Sequence, residues 1–282
     1  MGRPIDVMHL GNDRVICAFE IDGMVVDPGP ASCVETLLEG LGGEPRALLL
    51  THIHLDHAGA TGVLTRRFPD LPVYVHERGA PHLIDPSKLL TSATQLYGDD
   101  MFRLWGEVAP VPQDNLRVLS GGETVEGMRV AYTPGHASHH VSYLHEDTGT
   151  AYTGDVAGVR IPPGDHVVAP TPPPDIDLEA WDHSLDVLDA WSPSALCLTH
   201  FGRVGAVPEH LLHMREALAR SGERARAHGE EAFIAGFEAE VREAGDDESG
   251  ERFFQAAPPV QQWLGLERYW RKRAEREAAA TA

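Results

Sequence analysis

The feature that most constrains this chain is one short window, His52-Ile-His54-Leu-Asp56-His57, directly behind the apolar run Ala47 to Leu50. The run reads as a buried strand and the residues beyond Ala60 as a helix reaching Arg67, so the window occupies a strand-to-helix loop. Three imidazoles and a carboxylate crowd into six positions there. Buried, each would need a partner, and an apolar core offers none. In such a loop His52 and His54 point one way, while Asp56 and His57 turn toward a neighbouring point. Imidazole nitrogen and carboxylate oxygen are the ligands that divalent zinc prefers. The window therefore reads as two adjacent metal positions more naturally than as one.

Further ligands are expected at the ends of other strands, where α/β scaffolds place their sites. His136 follows Thr133-Pro-Gly, Asp155 follows Gly154, and His200 follows Thr199, each just past a predicted strand. A lone histidine is more often a satisfied or surface residue. Together with the window these supply seven ligands, enough for two metals and a solvent molecule between them.

Composition narrows the remaining classes. The 282 residues carry 23 Lys and Arg against 43 Asp and Glu, a net charge of −20. A broad basic face for nucleic acid is excluded. No stretch reaches the roughly 18 apolar residues of a membrane span, and the opening residues lack an apolar signal core. A soluble, cytoplasmic protein is expected. Cys17, Cys33 and Cys197 show no paired spacing and read as buried small hydrophobes in a reducing compartment.

Predicted strands cover Arg14 to Phe19, Met24 to Val26, 46–50, 72–76, 128–133, 141–145, 150–153 and 195–198. Helices are predicted at 32–41, 178–190, 209–243 and 261–272. Residues 77–115 and 161–177 are irregular and read as loops or short helices over a cleft. The order strand, polar loop, helix occurs near 46–65 and again near 195–220, a faint echo of two related halves.

The order His-x-His-x-Asp-His, followed by His136, Asp155 and His200, resembles the metallo-β-lactamase fold superfamily of hydrolases. Val25-Val-Asp-Pro-Gly29, Thr133-Pro-Gly-His136, Tyr152-Thr-Gly-Asp155 and Thr199-His-Phe-Gly202 carry the likeness further, over about residues 14 to 205. It implies an α/β fold, an αββα sandwich of two mixed β-sheets flanked by helices. Residues 1–207 would be the catalytic core, with 208–282 a helical extension packed on it as part of the same domain. By that resemblance His52, His54 and His136 bind one metal, Asp56, His57 and His200 bind the other, and Asp155 bridges. Asp56 in this window points to the glyoxalase II, lactonase, phosphodiesterase and RNase Z branch. Zinc is the first expectation for the two divalent ions, and iron or manganese accept the same ligands.

The chemistry implied is hydrolysis by a hydroxide shared between the metals, with Asp56 and Asp155 as catalytic carboxylates. The substrate expected is a small ester, thioester or lactone. A phosphodiesterase of the same fold, an iron oxidoreductase and a non-catalytic metal protein are the alternatives. Asp27 either orients a ligand imidazole or forms a turn before Pro28-Gly29. His140 is either a partner of the site or the start of the next strand; for His139 the second reading is preferred. Tyr97, Phe102 and Trp105 offer an apolar wall for the substrate, with Arg160 and Arg203 as anion anchors. The aromatic stretch 263–270 is either a docked helix or a homodimer contact.

Overall fold

In the computed structural model, which describes residues 2–281, alternation of apolar residues builds two six-stranded sheets. The first is ordered β1 (Arg3–Asp6), β2 (Cys17–Ile21), β3 (Met24–Val26), β4 (Ala47–Leu49), β5 (Val73–His76) and β6 (Leu116–Leu119). The second is ordered β12 (Gly202–Val204), β11 (Ala195–Leu198), β10 (Thr150–Gly154), β9 (Val141–His145), β8 (Met128–Tyr132) and β7 (Thr124–Val125). Strands β3 to β6 run parallel, as do β10 and β11, and the other neighbours are antiparallel. Both sheets are mixed.

The two-residue period of a strand decides which layer each side chain enters. Cys17, Phe19 and Ile21 of β2, Met24 and Val26 of β3, and Ala47 and Leu49 of β4 meet Val130, Tyr143, Tyr152 and Cys197 between the sheets. Their alternates Ala18, Val25 and Leu48 face outward to Leu37 of α1 (Val34–Leu41) and Leu64 of α3 (Thr61–Arg67). Ala151, Leu196 and Leu198 face outward from the second sheet, to α7 (Leu178–Trp191) and α8 (Val207–Ala227). The product is an αββα sandwich. All three cysteines are free and buried.

Several elements depart from expectation. The first strand of the sequence is β1, whose Pro4 obscures it, and Arg14 lies in a left-handed turn (φ 57°) ahead of β2. Residues 77–115 fold into α4 (Ala80–Ile84), α5 (Ser87–Tyr97), α6 (Met101–Trp105) and the start of the route to β6. The helix expected over 209–243 is two, because the backbone is extended at His228 and Gly229, and α9 (Glu230–Ala244) folds back. Asp246 then caps α10 (Asp247–Ala256), its carboxylate accepting from the Ser249 amide. The aromatic stretch 263–270 lies in α11 (Pro259–Thr281), with Leu266 and Tyr269 buried in the core shared with Trp181, Met214 and Phe233. Among the described residues no helix is long and apolar enough to cross a membrane.

Candidate metal centre

Parallel pairing brings the strand ends together. β3 and β4 are parallel neighbours, so Asp27 after β3 and the window after β4 share one edge of the first sheet. β10 and β11 are parallel neighbours in the second sheet, which brings Asp155 and His200 to one edge. The edges are stitched across: Val141 N–H donates to Thr51 O (2.8 Å), Tyr143 O–H to Leu50 O (2.8 Å) and Cys17 N–H to Thr199 O (2.8 Å). Leu55, Asp56, His57 and Ala58 form a single helical turn, α2 (Leu55–Ala58), with His54 extended at its N-terminus.

At this seam His52, His54 and His136 form one group of ligand atoms, His52, His57 and Asp155 a second, and Asp56, His57 and His200 a third. His54 Nδ1 lies 2.9 Å from His52 Nε2 and 3.0 Å from His136 Nε2. Asp155 approaches His57 Nε2 (3.1 Å) and His136 Nε2 (3.3 Å), and Asp56 approaches His200 Nε2 (3.4 Å). All are buried except His54 and Asp56, which are part-exposed.

The ring tautomers follow from the opposite nitrogens. His57 Nδ1 donates to Asp27 Oδ2 (2.8 Å), His136 Nδ1 to Pro170 O (2.9 Å) and His200 Nδ1 to Val15 O (2.6 Å). Thr51 spends its hydroxyl proton on Asp27 (2.7 Å), so its oxygen accepts from His52 Nδ1 (3.1 Å). Four imidazoles therefore turn Nε2 toward the centre, the arrangement in which histidine ligates metal once that nitrogen gives up its proton. His57 Nε2, His200 Nε2 and Asp155 Oδ1 are buried and without a hydrogen-bond partner, a costly state that a bound cation relieves. The donor set fits divalent metal.

The electrostatics agree. Burial lowers the pKa of His52, His136 and His54, the last to about 4, and neighbouring imidazoles add to the effect for His52 and His54. Burial also opposes charge on His57 and His200, yet Asp155 and Asp56 outweigh it and raise both. Burial would raise the carboxyls of Asp56 and Asp155, but His57 and the other imidazoles hold both well below the usual range. The site keeps its carboxylates ionised and attracts positive charge.

Asp27 is not merely a turn former. Fully buried, it accepts from Thr51 N–H (2.8 Å), Thr51 O–H, His57 Nδ1 and Thr199 O–H (3.0 Å). His140 sits behind His52, ring centroids 5.0 Å apart, its Nδ1 bonded to Thr133 Oγ1 (3.0 Å). His139 is also buried, beside His54. Gly154 (φ 47°) is required here, because a β-carbon would lie 2.4 Å from Thr51 Oγ1 and 2.8 Å from His140 Nε2.

A cavity of about 370 Å³ opens on His54, Asp56 and Asp155. Leu89, Leu96 and Tyr97 of α5, Trp105 of α6, the prolines at 170 and 172–174, and Gln255, Pro258 and Gln261 enclose it. Among the described residues, no Lys or Arg lines it. Tyr97 and Trp105 are among the residues that line it. Phe102 is not: its ring lies on the outer side of α6 and is 76% exposed. Arg160 and Arg203 are corrected too, since both line a separate depression with Pro4, Phe201 and Gly205. The backbone explains this: β12 turns away at Gly202, and Arg160 pairs its main chain with His200 and Phe201. His9, Gln255 and Gln261 were not anticipated. Each lies in a stretch with no motif of its own, and only tertiary packing brings them to the cavity.

A profile of the metallo-beta-lactamase superfamily matches residues 21–201. A metallo-beta-lactamase fold-containing protein of Sulfurisphaera tokodaii, ST1585, is 30% identical over 222 residues, 75% of this chain and 81% of that protein. The crystal structure of ST1585 superposes with a TM-score of 0.63, over 78% of this chain and 85% of that one, at 26% identity. TTHA1623, solved in a di-iron-bound form, gives a TM-score of 0.50 at 27% identity, over 64% of this chain and 83% of that one. A hydroxyacylglutathione hydrolase of Hamiltonella defensa is 44% identical over 78 residues, 26% of this chain and 31% of that enzyme.

Proposed function

The chain belongs to the metallo-beta-lactamase superfamily, and we propose that it is a metal-dependent hydrolase of small esters, thioesters or lactones with an apolar acyl group. The observation that carries the substrate class is the cavity: apolar walls, no Lys or Arg, and Asp56, Asp155 and His54 at one end. A phosphodiester or a glutathione thioester brings anionic groups, and these walls offer them no counter-charge. The hydroxyacylglutathione hydrolase likeness supports carbonyl chemistry but spans under a third of that enzyme.

His52, His54 and His136 would hold one divalent ion and Asp56, His57 and His200 a second, with Asp155 between them. Such ions supply an activated water and stabilise charge on the substrate oxygen. The protein's part is orientation and exclusion of water. Asp27, Pro170 and Val15 take the Nδ1 protons and so fix which nitrogen faces the centre. Asp56, part-exposed at the cavity floor, is placed to accept a proton from the attacking water or pass it to the leaving group. The walls hold the acyl chain so that the carbonyl meets the carboxylate end. Zinc is the first expectation, and the di-iron form of TTHA1623 makes iron the alternative to measure.

The test pairs metal analysis of the purified protein with hydrolysis of an acyl ester, a thioester, an acyl lactone, a phosphodiester and a β-lactam, each with and without chelator. The expected result is two metals per chain and chelator-sensitive turnover of the carbonyl substrates above the phosphodiester. Preference for the phosphodiester would overturn the substrate class, and one metal or none would overturn the paired site.

A further inference from the structure

Helix α5 forms one wall of the cavity, and little else holds it in place. Leu89, Ala93 and Tyr97 recur every four residues, a single helical stripe. With Leu55 and Trp105 they make a small apolar cluster separate from the three main cores. The same three residues, with Ser92 and Leu96, line the cavity. Ala93 is the only buried residue of α5, and Ser87, Lys88, Thr91, Thr94 and Gln95 face solvent. Among the described residues one hydrogen bond joins α5 to a residue outside 85–98: Tyr97 O–H donates to Gln261 Oε1 (3.3 Å).

The neighbours of α5 are anchored. In α4, Leu83 is buried in the core outside the first sheet, and its carbonyl accepts from Val111 N–H (2.8 Å). In α6, Leu104 O accepts from His9 Nε2 (2.9 Å) and from Ser32 O–H (2.7 Å). Helix α5 therefore spans two fixed points. One junction is Asp85-Pro86, where proline brings a fixed φ and no N–H. The other is Gly98 (φ 52°, ψ −131°), a conformation that glycine adopts far more readily than any other residue.

A segment with few buried apolar contacts and few hydrogen bonds to its surroundings opens at low free energy. Lids turn on a few positions at the ends of elements. We propose that α5 is the moving wall of the cavity. It swings outward about Asp85-Pro86 and Gly98 to admit the acyl group, and the Tyr97–Gln261 hydrogen bond is its latch. The bound acyl chain then holds it shut by covering the Leu89–Ala93–Tyr97 stripe with apolar surface. This rests on the reading of the cavity as an acyl site and refines it. Closure depends on acyl length, because a short chain leaves part of the stripe uncovered.

The test follows hydrogen exchange of the metal-loaded full chain by mass spectrometry, on wild type, Tyr97→Phe and Gln261→Leu. Each is measured free, with octanoate at a concentration shown by calorimetry to saturate, and with butanoate at that same concentration. Hydrolysis of methyl octanoate is measured alongside. In free wild type the α5 amides should exchange at least about ten-fold faster than those of α7. Octanoate should slow α5 by about five-fold or more and leave α7 unchanged, and butanoate should do less. Each latch variant should speed exchange of free α5 by about two- to ten-fold, the range of one net hydrogen bond, with α7 unchanged. Tyr97→Phe keeps the ring on Trp105 and Gln261→Leu keeps the tyrosine, so either decides the latch if the other does not fold. The inference is overturned if free α5 exchanges as slowly as α7, if bound octanoate leaves α5 unprotected, if both acids protect it equally, or if the latch variants leave it unchanged. Protection by octanoate with no methyl octanoate turned over supports the moving wall and sinks the hydrolase reading. Failure of octanoate to bind overturns closure on an acyl chain, and ester turnover in that case leaves the hydrolase reading standing.

Discussion

One carboxylate organises the candidate metal centre without facing it. Asp27 takes hydrogen bonds from Thr51, His57 and Thr199 at once. Asp27→Asn puts an amide N–H among those donors, so His57 loses its orienting acceptor. Metal affinity should drop by about 10–100-fold, read by competition with a chromophoric chelator; an unchanged affinity would mean the imidazoles orient themselves. His139 gives a pH prediction. Burial, with His54 adding to it, pushes its pKa down to about 3 against roughly 6.5 for a free imidazole. Between those values the unfolded chain binds the proton and the folded chain does not, so stability falls as pH drops through that window. The urea midpoint of wild type should decline below about pH 6.5, and His139→Gln should flatten the decline. The candidate ligands stand out in the sequence because seven of them fall at strand ends in a dense, ordered pattern. Asp27 was legible only as two alternatives, because its four donors come from two segments, 51–57 and Thr199, that only the fold brings together.

At the scale of elements, the short helix α6 separates what sequence can and cannot say. Met101, Phe102, Leu104 and Trp105 read as one apolar cluster, and periodicity alone does not tell which of them faces the cavity. In the fold Trp105 is buried with Leu55 and Ala93, while Phe102 faces solvent. Phe102→Ser should leave the unfolding free energy from urea titration within about 0.5 kcal/mol of wild type. Trp105→Ala should cost about 3 kcal/mol or more, as for other buried aromatics. If the two substitutions cost the same, α6 is rotated from the position described. The buried strands β4 and β11 were readable as continuous apolar runs. β1 and β12 were not, since Pro4 and Gly202 interrupt the pattern and their pairing is set by distant neighbours.

For the whole molecule, the C-terminal helices do more than cover a sheet. Gln262 of α11 accepts from Thr171 N–H (2.6 Å) and Thr171 O–H (3.0 Å), tying α11 to the proline wall. Gln262→Leu strands a buried amide and should cost about 1–3 kcal/mol in denaturant unfolding, with a higher KM for acyl substrates. A rise in KM without loss of stability would show the wall to be held by something else. Helix was predicted over 209–243 and 261–272 but not at α10, and the share of these helices in the cavity was not predicted, because it depends on contacts more than 90 positions apart in sequence. The reach of Asp27 across the seam has a consequence for biosynthesis. Its partners Thr51 and His57 leave the ribosome well before Thr199 and His200, which belong to the other sheet. A nascent chain showing only the first half has histidines with nothing to fix their second-sheet partners. Tight metal capture should therefore be an event of the finished fold, and metal content in a preparation becomes a census of how many molecules have completed it.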